Sequence, residues 1–239
     1  EDFEIIGNLV QQAEATLIDE YEPLSFFEIM TAMALVYFSR KKVEVALLEV
    51  GIGGLLDTTN IVHSTMSVIT SIGMDHEEML GNTLEEIAIQ KTGIFKQNQE
   101  VVLGKLPTEA LKIAEVVGEA YNCDIHQLER EFKIEPFEDG FIFTNSDTRI
   151  HIPYLNLKGK YQLENAAVAL ECFLRFEKKF QLPIELSAIQ ESFQTVTWPG
   201  RMEVVHQSPT VILDGAHNIH ALKRFVETVK QHGELEAQQ

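Results

Sequence analysis

An adjacent aspartate and histidine, Asp75-His76, a lysine at Lys91, and a second aspartate and histidine in the run DGAHN at 214–218 are the residues of this chain best suited to chemistry. Imidazole and carboxylate together suit a divalent ion. A further carboxylate, Glu49, ends the run VEVALLEV just before the glycine-rich turn GIGG. Glu49, Asp75 and Asp214 each follow an apolar run that reads as a strand, which places them where open α/β sheets hold ligands. Each also has a plainer reading, as a carboxylate emerging into solvent or capping a turn, and His76 and His217 as structural or solvent histidines. Lys91 shares a helical phase with Leu84, Ile87, Ala88 and Phe95, so it stands in an apolar stripe. A lysine there either snorkels its head to the surface or holds its nitrogen in a functional cavity, and the pattern alone favours the surface. The run WPGR at 198–201 offers an arginine suited to bidentate phosphate contact, and a helix opening after DGAHN offers amides to an anion. GIGG is no dinucleotide fingerprint, because the third glycine of G-x-G-x-x-G would fall at Leu56.

The elements that must position these residues follow from periodicity. Phe3, Ile6, Val10, Ala13 and Leu17 recur at helical spacing, predicting a helix over 3–19 that Pro23 ends. Ser25 and Glu28 form a capping box for a helix to Arg40, apolar almost all round as a buried helix would be. Val43 to Val50 reads as a strand buried on both faces, the pattern of a parallel sheet, and 67–72 as a second. Thr83 and Glu86 cap a helix to Thr92. A strand at 100–103, a helix after Pro107 and a strand near 125–128 follow, then a hairpin over 141–152 and helices over 161–180 and 184–195. A strand at 210–213 and a helix from 219 read as the start of a new α/β unit. Strands alternating with helices predict a doubly wound, mostly parallel α/β sheet.

Composition bounds the function. The 239 residues are 45% hydrophobic and 23% charged, a globular profile with enough apolar side chain for a sizeable core. A net charge of −18 argues against nucleic acid as a partner, so a site for a phosphorylated ligand must rely on backbone amides, bound Mg²⁺ and a few placed cations. No apolar stretch reaches the roughly 18 residues of a membrane span, and the acidic N-terminal run is not that of a signal peptide. Cys123 and Cys172 are too few for a disulfide framework, which fits a reducing cytoplasm.

The segments LEVGIGGLLDTTNIV (48–62), TSIGMDHEEMLGNTLEEIAIQKTGIF (70–95), LKGKYQLENAAVA (157–169), WPGRMEVV (198–205) and ILDGAHNIHAL (212–222) resemble, in order and spacing, the folylpolyglutamate synthase and dihydrofolate synthase family, relatives of the Mur ligases. The resemblance implies an ATP-dependent amide ligase. ATP would phosphorylate a carboxylate of dihydropteroate or a folate, and the amine of L-glutamate would attack the acyl phosphate, with Mg²⁺ offsetting charge. It implies a partial P-loop-type ATPase domain over 1–198, then a linker and the start of a Rossmann-like domain over 199–239. On the matching positions, Glu49 and His76 are implied as Mg²⁺ ligands and Lys91 as a carbamylated lysine beside them. Asn165, Arg201, Asp214 and His217 are implied as ATP contacts, the last three brought in by domain closure. Ser25, Phe26, Phe27 and Glu28, with Leu56, Asp57 and Thr58, are implied as the pterin pocket, although the capping box already accounts for SFFE. The chain departs from the family at Leu55, where arginine is usual, and at Ile219, where proline is usual. The family's phosphate-binding loop G-T-N-G-K-G-S is not in the sequence, so the chain is expected to be the middle of a monomeric ligase, inactive by itself. The rival readings are a Mur-type ligase of cell-wall synthesis and a non-catalytic module that has lost the loop.

Overall fold

The structure, a computed structural model, describes residues 1–17 and 21–236, without the side chains of 219, 220 and 231–236. The chain divides into two compact units, Glu1–His63 and Ser64–Gln239.

In the first unit, helix α1 spans Asp2–Ala15 and helix α2 spans Phe26–Lys41. The helix expected over 3–19 therefore stops sooner, with Thr16 closing it through an Oγ1 bond to the Ala13 carbonyl, and its expected last residues 18 and 19 lie outside the described residues. The Ser25 capping box forms as expected: Ser25 Oγ accepts the Glu28 amide and Glu28 Oε2 accepts the Ser25 amide at 2.7 Å. An ion pair of Lys41 with Asp2, at 2.7 Å, ties the two helices end to start. Ile6, Val10 and Met33 form the buried core between them.

Two expectations fail here. Helix α2 is not enclosed: Met33 is its one residue described as buried, and Phe26 is 79% exposed. Two helices and a loop can cover one face of each helix and no more. Residues 43–50 pair with no strand among the described residues, and Leu47 is 93% exposed. The apolar, β-branched composition of VEVALLEV suits a strand, but a strand exists only through ladder partners, which local sequence does not supply.

In the second unit, β1 (Met66–Ile69) leads through the short helix α3 (Glu77–Leu80) and α4 (Leu84–Thr92) to β2 (Glu100–Leu103), and α5 (Thr108–Ala120) leads to β3 (Asp124–Gln127). The three strands form a parallel sheet in the order β1-β2-β3, with Val68, Val102 and His126 in register. This is a mixed α/β fold, as the alternation predicts. Strand alternation divides the core: Val101 and Leu103 join Ile69, Ile87, Ala88, Phe95, Ala110 and Ala114 under α4 and α5, and Val102 joins the cluster on the other face. The sheet is close-packed at its carboxyl end, where Gly104 donates its amide to Ile69 at 2.8 Å and a Cβ would fall on the Thr70 carbonyl.

Beyond the sheet, β4 (Phe132–Phe137), β5 (Gly140–Asn145) and β6 (Arg149–Ile152) make an antiparallel meander. The expected hairpin over 141–152 is thus its last two strands; β4 is an additional edge strand and carries Pro136, a residue edge strands accept. Helix α6 (Lys160–Phe180) packs its Ala166, Ala167, Leu170 and Leu174 against Phe132, Phe141 and Phe143 of the meander, and α7 (Leu186–Thr195) adds Ile189. The final elements are β7 (Glu203–Gln207), β8 (Thr210–Leu213) and α8 (Ile219–Glu236). The strand expected at 210–213 forms as β8, and it pairs antiparallel with β7 as a two-stranded hairpin. Among the described residues no helix is long and apolar enough to cross a membrane.

One polar cluster is buried between sheet and helix. The Arg175 guanidinium faces three carboxylates, Asp124 at 3.1 Å, Glu100 at 3.6 Å and Glu171 at 3.8 Å, and its Nη2 also meets His126 Nε2. Glu171, 1% exposed, is further held by Asn145 Nδ2 at 2.8 Å. Burial beside Glu171 pushes the neighbouring Cys172 thiol up to about 12, so this cysteine is inert; both cysteines are free.

Candidate functional site

In the second unit, the carboxyl end of β1 delivers Asp75 and His76. His76 has φ of 50°, the left-handed region, and opens helix α3; its amide donates to Asp75 Oδ1 at 3.0 Å, and its Nε2 lies 4.0 Å from Asp75 Oδ2. Both side chains are more than 40% exposed on this rim. Lys91 comes from α4, which the Thr83 capping box starts and which Glu86 anchors by also accepting the Asn82 amide. The expected apolar stripe is real: Ile87, Ala88 and Phe95 are buried and Leu84 packs against them. Lys91 is half-buried within it. Burial lowers its ammonium from the ordinary lysine range, and the opposing Asp75 carboxylate partly restores it. The Asp75 carboxylate is thus the charge that acts on Lys91.

The hairpin β7–β8 brings together two runs distant in sequence. Asp214 Oδ2 accepts the Met202 amide at 2.9 Å, Asp214 Oδ1 accepts the Ala216 amide at 2.9 Å, and Gly215 donates to the Gly200 carbonyl at 2.7 Å. The Arg201 guanidinium lies against Gly215, where a Cβ would come within 3.4 Å of its Nη1. His217 Nδ1 sits 2.9 Å from the Gly215 carbonyl. Arg201, Asp214 and His217 thus share one pair of interlocked turns. Asn165 is exposed on α6, its Nδ2 donating to Gln162 at 3.0 Å. One turn earlier on α6, burial and the Asp214 carboxylate push the Tyr161 phenol up, against the pull of Arg201 and Arg224. Tyr161 and Thr228 crowd Gly159, whose φ of 108° and missing Cβ admit them, and the Arg224 guanidinium lies 5.8 Å from the Tyr161 ring centre. A cavity of about 150 Å³ lies there between α6 and α8.

In the first unit, Asp57 organises the glycine-rich turn. Its Oδ2 accepts the Gly51 and Ile52 amides at 3.0 and 3.1 Å, and its Oδ1 accepts the Thr59 amide and hydroxyl at 2.9 and 2.6 Å. Thr58 Oγ1 lies 3.3 Å from Thr31 Oγ1 of α2. The Phe27 ring covers Gly51, where a Cβ would sit 2.8 Å from Phe27 Cζ. Phe27 and Asp57 therefore meet at Gly51, Ser25 and Glu28 are engaged in the helix cap, and Phe26 and Leu56 stand largely in solvent. Partial burial would raise the Asp57 carboxyl, but the bonds from Thr59, Ile52 and Gly51 outweigh it and hold the group below the ordinary range. A depressed carboxyl contributes stability above its unfolded value of about 3.9 and loses it as pH falls through the folded value. The amides of Gly51, Ile52 and Thr59 are accordingly expected to stay protected from hydrogen exchange at pH 4 and to lose protection only below it; in Asp57→Asn that acid step disappears. Loss of protection at an unshifted carboxylate midpoint would contradict the network.

Among the described residues no group of three His, Cys, Asp or Glu side chains is assembled to hold a metal. The second unit supplies one carboxylate and one imidazole, Asp75 and His76. Of the two, the carboxylate is the donor type that Mg²⁺ takes, since that ion keeps several waters and completes its shell with carboxylates and substrate phosphates. Glu49, exposed at the end of the unpaired segment, belongs to the first unit.

Residues 4–173 match the family model of the Mur ligase middle domain. The chain belongs to the Mur ligase family. Within that family its likeness is to the folylpolyglutamate and dihydrofolate synthases. It is 35% identical over 233 residues to the dihydrofolate synthase/folylpolyglutamate synthase of Bacillus subtilis, covering 95% of this chain and 54% of that protein. A folylpolyglutamate synthase of Mycobacterium tuberculosis complexed with ADP superposes with a TM-score of 0.87 at 26% identity, over 96% of this chain and 53% of that one. An FPGS–AMPPCP–folate complex superposes with a TM-score of 0.84 at 29% identity, over 93% and 55%. The chain spans about half the length of the curated relatives it matches. Sequence reading singled out most of this Mur ligase segment's rim, but gave no part to Asn218 or Tyr161. Asn218 lies inside DGAHN, and its position immediately before a helix was the available signal.

Proposed function

We propose that the chain is the central part of an ATP-dependent ligase that joins L-glutamate to dihydropteroate or to a folate. The observation that carries this reading is the convergence of Arg201, Asp214 and His217 on one pair of turns that is hydrogen-bonded to the rim bearing Asp75 and His76, which Lys91 faces. A cation, an acceptor and an imidazole there suit a nucleotide, with Asn165 and the start of α6 as a further contact. The related proteins solved with ADP, and with AMPPCP and folate, support it.

In this reading Arg201 neutralises phosphate charge, His217 meets the nucleotide's polar groups, and Asp214, whose oxygens already accept the Met202 and Ala216 amides, adds its remaining lone pairs. Lys91 would carry a carbamate, formed when its neutral amine attacks carbon dioxide and gives up a proton, and within the second unit it would hold Mg²⁺ with His76. That ion would screen the phosphates and the charge developing on the transferred phosphoryl group. Phe27 offers an aromatic face to a pterin ring beside the Gly51 turn. Asp57, with both oxygens already engaged in its loop, shapes that pocket through its amides. The reading also takes the ATPase domain to run to residue 198 and the protein to act as a monomer in the cytoplasm.

The test uses a ligase carrying these residues together with a phosphate-binding loop. ADP release is measured with dihydropteroate, a reduced folate and a cell-wall muramyl peptide precursor as acceptors. Glutamate-dependent release with a pteroate or folate acceptor is expected. Release with the muramyl precursor alone would make it a cell-wall ligase, and no release with any acceptor would make it a binding module.

A further inference from the structure

Two turns from opposite ends of the second unit, 143 residues apart, are joined by one side-chain hydrogen bond: Asn218 Nδ2 donates to Asp75 Oδ2 at 2.8 Å. Each partner's remaining oxygen is also committed. Asn218 Oδ1 accepts the Ala221 amide at 2.8 Å in the first turn of α8, and Asp75 Oδ1 accepts the His76 amide at 3.0 Å, in the turn where His76 holds its left-handed conformation. Asp75 is also the carboxylate that Lys91 faces. A left-handed conformation is costly for a residue other than glycine, so the turn depends on what over-determines it.

We propose that Asn218 is a positioning residue, which through this bond locks the Asp75-His76 turn to the Asp214–His217 turn so that both halves of the rim order together. Asn218 touches no reacting group itself. An amide is the side chain this task requires, because it must donate to a carboxylate with one atom and accept a backbone amide with the other. Coupling of this kind is reciprocal: whatever orders the 214–217 turn orders His76 in equal measure, and a ligand on the His76 rim steadies the nucleotide turn. The inference concerns the rim on which the ligase reading rests. Its test reads backbone protection without turnover, so either can fail alone.

The experiment is amide hydrogen exchange on the 239-residue chain and two variants. Asn218→Asp keeps the acceptor for Ala221, since aspartate caps helices as well as asparagine, but sets a carboxylate against Asp75. The His76 and Ala216 amides are expected to exchange about fivefold to tenfold faster, while Ala221 and the β2 amides keep their protection. The double variant Asp75→Asn with Asn218→Asp reverses the donor and acceptor and should restore His76 protection to within about twofold of the parent. Unchanged His76 exchange in Asn218→Asp would show Asn218 to be a helix cap only. Failure of the double variant to restore protection, with β2 still protected, would equally overturn the proposal.

Discussion

Lys91→Ala is expected to lower ligation by about 10²- to 10³-fold in a ligase carrying this segment, while leaving its thermal midpoint unchanged or slightly raised. The two halves of that result have separate causes. Burial within the stripe of Ile87, Ala88 and Phe95 already disfavours the Lys91 ammonium, so replacing it removes a group the fold tolerates at a cost. Activity falls because a carbamate on Lys91 is the proposed anion beside the His76 rim, and alanine offers none. Added short-chain carboxylates should then recover part of the rate by standing in for the carbamate, and Lys91→Arg should not. Steady-state turnover with and without acetate, beside a thermal melt, settles the matter. Unchanged turnover would return Lys91 to the role of a snorkelling lysine.

Arg175→Met is expected to destabilise the second unit by about 3 to 5 kcal/mol, the usual consequence of removing one member of a buried ionic group. Glu100, Asp124 and Glu171 converge on this one guanidinium. Methionine fills the volume but leaves Glu171, almost fully enclosed, and Glu100 without their cation, while Asp124 stands mostly in solvent. A chain of this size shifts its midpoint by roughly 2 to 4 °C per kcal/mol, so a fall of about 6 to 20 °C should appear in a thermal melt. Replacing Glu171 by Gln in the same background should regain part of it, because the neutral amide removes a charge and can still accept from Asn145. A fall under 2 °C would mean that solvent screens the cluster far more than its burial implies.

What could be read from sequence was local. The capping boxes at Ser25 and Thr83, the buried phase of α4 and the strand at 100–103 each depend on residues within a few positions of one another, and each stands in the structure as expected. The misreadings were non-local. VEVALLEV looks like a strand residue by residue, yet nothing within it says whether a neighbour pairs with it. Strand β4 carries Pro136, which breaks the local strand pattern, and β7 exists only through its pairing with β8. Around the candidate site, residue types and their order can be read locally, because Asp-His and DGAHN each follow an apolar run. The bond between Asn218 and Asp75 was not, since no periodicity links positions 143 residues apart. The residue pattern alone favours the surface for Lys91. Its half-burial, facing Asp75, was for the fold to show.

The unpaired segment 43–50 also bears on how the chain behaves in a tube. An apolar run that pairs with no strand among the described residues is a template on which a second copy can add as a strand, and its valines, leucines and alanine resemble the sequences that stack into fibrils. Glu44 and Glu49 within the run, and Lys41 and Lys42 just before it, act as gatekeepers against that stacking. Their protection is electrostatic, so it weakens as salt rises and as the carboxylates take up protons. For this chain colloidal stability and folding stability are therefore separate quantities: mild acid or high salt can draw copies together through residues 43–50 while both hydrophobic cores of the second unit stay intact.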